Sequence, residues 1–478
     1  MRTRSTLLAL TLAPTLCAQG AKEPPADAKQ QLGAFFDAAA ARGLFRGVVL
    51  VADEGKVFFE RAVGDADVGR ATTVDAPFYL ASISKQFTAA AIMVLAQQGR
   101  LGYDDTLATF LPELPAWAET MTLRHLLTHT SGLGNFLSAD LTHEGLTNDT
   151  VVAHLKTLEA TELPPGERYR YSNSAYLLLA RVVERVAQTS FRAFTTKEIF
   201  EPLGMSTAVF NDETRPSVPN RVVGFDRYGQ ESDVPHLTNG AGGMFGSARD
   251  LWRWHQALFG AQLLRRETLD EAWAPMPLND GSRSDYGFGW HVHPSEKGLS
   301  LHHTGSLAGF RHFVFADLAH ERVVIMLTNG GDAFPLPQMA TAVTNILRGR
   351  PATVPKPALI DHLFAFAGSR PNGLNAEVQR VMAEAREDYR VSEDDLNELG
   401  YALLARERTD AATCVFKAAV DAYPASANVY DSYGEALMRG GNDEAAAANY
   451  RKSLELDPTN DNATEMLRRL AQRLGQSR

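Results

Sequence analysis

Five pairs of residues near the end of this chain stand 34 positions apart: Gly400 and Gly434, Leu403 and Leu437, Ala412 and Ala446, Phe416 and Tyr450, and Pro424 and Pro458. A fixed period of that length marks a supersecondary unit that cannot bury its apolar face alone and does so by stacking on the next copy. Two copies bury little, so the helix-forming segments Ala376–Asp388 and Asn462–Leu474 are expected to flank or cap them. The stretch GRPATVPKPALI, Gly349–Ile360, is rich in proline and poor in periodic apolar positions, which makes it the linker to what precedes it. A length of 478 residues asks for at least two domains on its own account. The expected organisation is a first domain over 28–348, a linker over 349–360 and an all-α repeat domain over 361–478.

Composition narrows the partners. A net charge of −10 with mixed signs leaves no basic stripe, so nucleic acid is not expected to bind. Residues 1–20, MRTRSTLLALTLAPTLCAQG, place Arg2 and Arg4 before an apolar run from Leu7 to Leu16 and small residues around Ala18 and Gly20. This is the form of a secretory signal peptide cleaved after Ala18 or Gly20, and the expected location is secreted or periplasmic. The run is too short to span a bilayer, and no other stretch reaches that length, so no transmembrane span is expected. Cys17 opens the alternative of a lipid anchor, which the bulky Leu16 before it disfavours. Past such a cleavage only Cys414 remains, and no internal disulfide can form.

Within 28–348, Asp27 stands where it can cap a helix whose apolar residues Leu32, Phe35, Phe36 and Ala39 recur at helical spacing up to Gly43. Strand patterns follow over Phe45–Ala52 and Lys56–Val63, turned at Asp53-Glu54-Gly55. From Ser82 to Gly204 the signals are mainly helical, with helices expected over Ser84–Gln98, Leu123–His129 and Ser174–Ala187. From Tyr286 strand signals return as GFGWHV, LSLHHTG, FRHFVFAD and RVVIMLTN, stopped at Asn329-Gly330 and followed by a helix over Pro337–Leu347. Strands at both ends with helices between them predict an α+β domain: one antiparallel sheet with flanking helices, plus a helical region.

The stretch YLASISKQFTAAAI, Tyr79–Ile92, sets Ser82 and Lys85 one helical turn apart, so their side chains share a face. Either Ser82 caps the helix and Lys85 is solvated, or a nucleophile stands beside its base. Two later features bear on the choice. Tyr171-Ser172-Asn173 follows a Pro-Gly turn in LPPGERYRYSNSAYLLLA, where a loop opens a helix, and His303-Thr304-Gly305 with the small Ser306 next lies in the strand LSLHHTGSLAGF. In this order Ser-x-x-Lys, Tyr-x-Asn and His-Thr-Gly resemble the serine beta-lactamase and penicillin-binding-protein family, in particular its class C-like branch of D-aminopeptidases, DD-carboxypeptidases and esterases. HLLTHTSGL (His125–Leu133) and GAGGMFGSARDLWRW (Gly240–Trp254) are similar to stretches of the same branch.

The resemblance implies that Ser82 attacks an acyl carbonyl, that Lys85 takes its proton, and that Tyr171 shares the relay and reaches the leaving group. It also implies that Asn173 holds the lysine and the substrate amide. The N–H groups of Ser82 and Ser306 would form the oxyanion hole, on the strand that carries His303, Thr304 and Gly305. A donor there typically contributes about 2.7 to 4 kcal/mol. A lysine can act as base only when neutral, so its pKa must fall from about 10.4 toward 7 or 8, at about 1.4 kcal/mol per unit. One position departs from the family pattern. Many β-lactamases and DD-peptidases carry a lysine where this chain has His303, which is largely neutral at pH 7 if unperturbed and resembles the D-aminopeptidase and esterase branches. The expected activity is that of an exported serine hydrolase acting through an acyl-enzyme on D-amino-acid peptides or small esters. The alternatives are a β-lactamase or DD-carboxypeptidase proper, or an inactive scaffold that binds partners through its tail.

No cofactor or metal is expected. His125 and His129 lie four apart, a spacing open to metal ligands, yet Leu126, Leu127 and the family match favour packing or loop anchoring. His291 and His293 share a strand face and His302 adjoins His303, with no carboxylate or cysteine at ligand spacing. Trp252 and Trp254 are expected to pack a helix. The 34-residue period is that of the tetratricopeptide helix hairpin, which the tail resembles; such a stack offers a concave groove for a peptide or protein, or serves as a spacer.

Overall fold

The computed structural model describes residues 23–138, 146–212, 217–227, 229–232, 238–295, 298–331, 334–369 and 373–476. The expected signal peptide over 1–20, with Cys17, lies outside the described residues. The chain divides into two compact units, with the break between Pro355 and Lys356.

The first unit is built on a six-stranded antiparallel sheet of β1 (Gly47–Asp53), β2 (Lys56–Val63), β3 (His291–Ser295), β4 (Gly298–Leu307), β5 (Phe310–Asp317) and β6 (Arg322–Thr328), in the spatial order β3-β4-β5-β6-β1-β2. The earliest strand therefore pairs with the last, Gly47 opposite Thr328 and Ala52 opposite Val323. β1 and β6 read GVVLVAD and RVVIMLT, runs that stay apolar instead of alternating, as strands covered on both faces do. On one face Val49, Val51, Val324 and Met326 join a core with Leu32 and Phe36 of helix α1 (Ala28–Ala41) and with Met339 and Val343 near the end of the unit. On the other face Val48, Leu50, Ile325 and Leu327 join a larger core with helix α2 (Ser84–Gln97). Every residue of α2 from Ser84 to Leu95 is buried, so this helix has no solvent face and carries Lys85 into the protein interior.

Several local expectations are corrected. Asp27 occupies the N-cap position of α1 but makes no capping hydrogen bond; its carboxylate accepts from Gln31 instead. Helix α3 (Leu123–Leu127) stops short of His129, which turns into the left-handed region at φ 56°. Of GFGWHV only the last two residues are extended, because Gly287 to Trp290 form a tight turn closed by a 2.8 Å bond from Gly287 N–H to the Trp290 carbonyl. Helix α4 (Asn173–Ala187) is capped by Ser172, whose hydroxyl accepts from Ala175 N–H. Trp252 and Trp254 are buried on helix α5 (Ala248–Phe259), and helix α6 (Leu336–Leu347) supplies Met339 and Val343 to the first core.

In the second unit the period appears as helix pairs: α7 (Glu393–Ala405) with α8 (Thr409–Ala422), and α9 (Ala427–Arg439) with α10 (Asp443–Leu456), followed by α11 (Asp461–Gln476). Gly400 faces the Phe416 ring so closely that an added Cβ would lie 2.3 Å from it, and Gly434 faces Tyr450 with 3.2 Å available. The small residue is what lets the paired helices touch. Pro424 and Pro458 stand two residues past the ends of α8 and α10, where proline cannot extend a helix. The segment Ala376–Asp388 is less regular than expected, since its α-helix ends at Arg380 and gives way to a π-turn over Val381–Ala385 and a 3-10 turn over Arg386–Asp388.

Candidate active site

Ser82 sits in a single 3-10 turn, Ala81–Ile83, that feeds into α2, and neither this turn nor α2 has a side-chain cap. The capping alternative is thereby removed. Ala81 is held at φ 49°, a strained conformation for a residue with a β-carbon. Lys85 is 0% exposed, so the solvated-lysine alternative falls as well. Its Nζ contacts Ser82 Oγ at 3.2 Å, Asn173 Oδ1 at 2.7 Å and the Ala241 carbonyl at 2.7 Å.

Burial alone drives the Lys85 pKa well below its ordinary value of 10.5, because no carboxylate compensates. In the neutral form the amine has two hydrogens and one lone pair. Asn173 Oδ1 and the Ala241 carbonyl can only accept, so they take both hydrogens. The lone pair is left pointing at the Ser82 hydroxyl, which is the orientation a general base requires.

The Ala241 carbonyl arrives through the glycine-rich stretch that precedes α5. Gly240 adopts φ 98°, and a Cβ there would stand 2.3 Å from the Tyr176 carbonyl, so the chain can pass between α2 and α4 only without a side chain. Thr88 on α2 ties the same stretch down through a 2.8 Å bond to the Gly240 carbonyl.

Tyr171 and Asn173 flank the cap of α4, which fixes both at the start of a buried helix. Asn173 gives its Nδ2 hydrogen to Asn135 Oδ1 at 3.2 Å, and that contact leaves Oδ1 turned toward Lys85. The Tyr171 ring centroid lies 4.8 Å from Lys85 Nζ, and the Ser82 hydroxyl beside the phenol lowers its pKa against the larger effect of burial. Burial pushes the Tyr171 pKa far above 10, so the phenol keeps its proton. A neutral amine and a neutral phenol thus converge on one serine hydroxyl.

The third wall is β4. Pairing with β3 ends at His302, so among the described residues no strand pairs with His303 to Leu307 on that side. A Cβ on Gly305 would lie 2.5 Å from the Leu80 carbonyl, so glycine is what allows this edge to reach the turn bearing Ser82. Thr304 and Ser306 are exposed on the edge, whereas His303 is buried. His303 Nδ1 meets the Thr304 carbonyl at 2.7 Å and must carry hydrogen; Nε2 then accepts from the Tyr286 hydroxyl at 2.9 Å. Burial, then His291 and Lys85, push the His303 pKa well below 6.5, in keeping with this neutral tautomer.

All eight residues picked out by motif therefore lie on three converging segments. Three contributors were not picked out as site residues: Tyr286, Asn135 and the carbonyl of Ala241, which lies in the stretch Gly240–Trp254. A backbone carbonyl has no side-chain signature, and Tyr286 matters only because folding brings its hydroxyl to His303 Nε2. His125 completes the capping box at Thr122, and His129 Nδ1 accepts from Ser172 N–H at 3.1 Å, so both anchor local structure. His293 Nε2 and His302 Nδ1 bond to each other at 3.0 Å.

A sequence model of the beta-lactamase family matches residues 32–347. Penicillin-binding protein 4* of Bacillus subtilis (strain 168) is 31% identical over 353 residues, 69% of this chain and 78% of that protein. Among solved structures, the D-amino acid amidase from Ochrobactrum anthropi SV3, complexed with L-phenylalanine amide, aligns with a TM-score of 0.57 at 21% identity over 67% of this chain and 98% of its own. EstCE1, a hydrolase with promiscuous acyltransferase activity, aligns with a TM-score of 0.57 at 22% identity over 68% of this chain and 99% of its own. These two likenesses are likenesses of fold.

Proposed function

This chain belongs to the beta-lactamase and penicillin-binding-protein family of serine hydrolases, and on that premise we propose that Ser82 is an acylated nucleophile with Lys85 as its base. The observation that carries the reading is the set of contacts of the buried Lys85 Nζ, two carbonyl acceptors at 2.7 Å and Ser82 Oγ at 3.2 Å, which in the neutral amine leaves the lone pair for Ser82. Ser82 Oγ adds to the substrate carbonyl as its proton passes to Lys85. The resulting oxyanion is held by the N–H groups of Ser82 and Ser306. Collapse breaks the bond to the leaving nitrogen or oxygen, which takes a proton from Tyr171; Lys85 restores that proton. Water then adds to the acyl-enzyme as its proton passes to Lys85, and the acid departs as Lys85 returns that proton to Ser82 Oγ.

The substrates we propose are D-amino-acid amides and peptides or small esters, cleaved outside the cell after removal of the leader. A neutral His303 supports this class, because the position that carries a lysine in many β-lactamases and DD-peptidases holds no fixed positive charge for a substrate carboxylate here. The same position weighs against efficient turnover of β-lactams and of carboxylate-terminated peptides, while the likeness to penicillin-binding protein 4* keeps penicillin in view as a slowly cleared acylating agent. The repeated helices of the second unit fit a tetratricopeptide stack, for which a protein or peptide ligand is the functional reading. The test is intact-protein mass spectrometry with peptide mapping after brief exposure to a penicillin, an activated short-chain ester and a D-alanyl peptide in separate tubes. An adduct on Ser82, cleared fastest for the ester or the D-alanyl compound, is the expected result; a folded protein that takes no adduct from any of the three overturns the reading.

A further inference from the structure

His129 is wholly buried beside the site and has no part in the mechanism above. Its backbone lies at φ 56°, a left-handed conformation that crowds a β-carbon and that few residues other than glycine adopt, asparagine, aspartate and histidine more often than the rest. Two hydrogen bonds run from it to one short segment. Its carbonyl accepts from Arg170 N–H at 2.7 Å, and its Nδ1 accepts from Ser172 N–H at 3.1 Å. Tyr171 is the residue between those two amides. The His129 ring also packs on the Tyr171 ring, with centroids 4.2 Å apart, and on Tyr286 and Tyr176 at 4.6 and 4.9 Å.

A backbone N–H can only donate, so Nδ1 must keep a lone pair and the neutral ring carries its hydrogen on Nε2. That Nε2 is buried and, among the described residues, has no hydrogen-bond partner. An apolar side chain would leave no such group unsatisfied, and a glycine would relieve the backbone. The position accepts both penalties, and only the bond to Ser172 requires the imidazole. Penalties of this kind persist where the surroundings over-determine the geometry, and they gather at functional sites.

We propose that His129 is a positioning residue for the reaction: it clamps the backbone on both sides of Tyr171 and packs against its ring, so that the phenol stays at Ser82. This rests on the reading of Tyr171 as the proton carrier to the leaving group. Two replacements separate the components of the clamp. His129→Gly tolerates the backbone angle but has no acceptor for Ser172 N–H. His129→Asn tolerates the angle and offers Oδ1 where Nδ1 stood.

The assay compares a D-alanyl anilide, whose amine must be protonated to leave, with the nitrophenyl ester of the same acyl group, which leaves as a phenolate. General acid–base contributions of about 10² to 10⁴ set the scale. In His129→Gly, kcat for the anilide is expected to fall roughly 30- to 100-fold with KM within about twofold and the ester within about threefold, while His129→Asn stays within about threefold on both substrates. Wild-type anilide turnover in His129→Gly overturns the proposal. So do equal losses on both substrates in His129→Asn, which would mark a packing role, and this variant alone decides if the glycine variant does not fold. Ser82→Ala run alongside separates the failures. If that variant turns over both substrates, the catalytic reading fails and the positioning role with it; if Ser82 is required and His129→Gly is unaffected, only the positioning role is lost.

Discussion

The repeated helices of the second unit and the lysine site of the first are both close-packed, yet they are put together in opposite ways. Gly400 meets Phe416 and Gly434 meets Tyr450 across hairpins of neighbouring helices, and the same small-against-aromatic contact recurs 34 residues on. Lys85 meets Asn173 and Ala241, which are 88 and 156 residues away and share no period with it. In the first case local repetition produces the packing. In the second, a single amine is stripped of water by parts of the chain that only the whole domain brings together. A defect in a repeat should therefore act on stability, whereas a defect around Lys85 should act on chemistry.

The largest effect that would sharpen this contrast is expected from Ser82→Ala, which should lower kcat at least about a thousandfold with an unchanged melting temperature, since triad-type nucleophiles contribute on that order or more. Turnover that survives this change would remove the site from the comparison altogether. Lys85→Met is expected to lower kcat by about 10² to 10⁴. It also carries a pH signature. The folded pKa of Lys85 lies well below the unfolded 10.5, so between the two values the unfolded chain binds more protons and stability rises with pH. Urea unfolding should show the lysine protein gaining on Lys85→Met as pH climbs toward 10.5, and kcat/KM of the wild type should rise with pH through the folded pKa as the base form appears. A pH-independent difference between the two proteins would mean that the buried amine does not titrate as argued.

Smaller and more diagnostic is the pair Gly240→Ala and Gly400→Ala. The first forces a Cβ against the Tyr176 carbonyl at φ 98° and displaces Ala241, so a kcat loss of about tenfold or more should accompany a destabilisation of ~1–3 kcal/mol. The second overpacks the Phe416 ring and should cost ~1–3 kcal/mol in denaturant melts with kcat near that of the wild type. Equal kinetic losses from both would break the comparison. Gly434→Ala, with 3.2 Å to Tyr450, is expected to be the mildest of the set, measurable only as a shift in the unfolding midpoint.

Much of the site was legible before folding was considered. Ser82 with Lys85, Tyr171 with Asn173, and His303 with Ser306 each lie within a few residues of one another, so each pair carries a local spacing that can be read. His129 was read as an anchor, but its target was not, because nothing in HLLTHTSGL points to Ser172 Nα 43 residues later. The strand over GFGWHV was overextended for a related reason. Its aromatic residues satisfy a strand pattern, but the Gly287 amide closes on Trp290 in a turn against Ala272, a contact invisible along the chain.

What the amino-acid order determined by itself is whatever depends on neighbours along the chain: the helix pairs from a 34-residue period, the hairpin at Asp53-Glu54-Gly55, and the two-sided burial of β1 and β6 from their unbroken apolar runs. What only the tertiary structure decided is protonation. Lys85 is a neutral amine, Tyr171 a neutral phenol and His303 an uncharged imidazole because each is cut off from water and met by particular acceptors or donors. Desolvation and hydrogen bonding belong to the space around a side chain, which exists only once distant segments have closed over it.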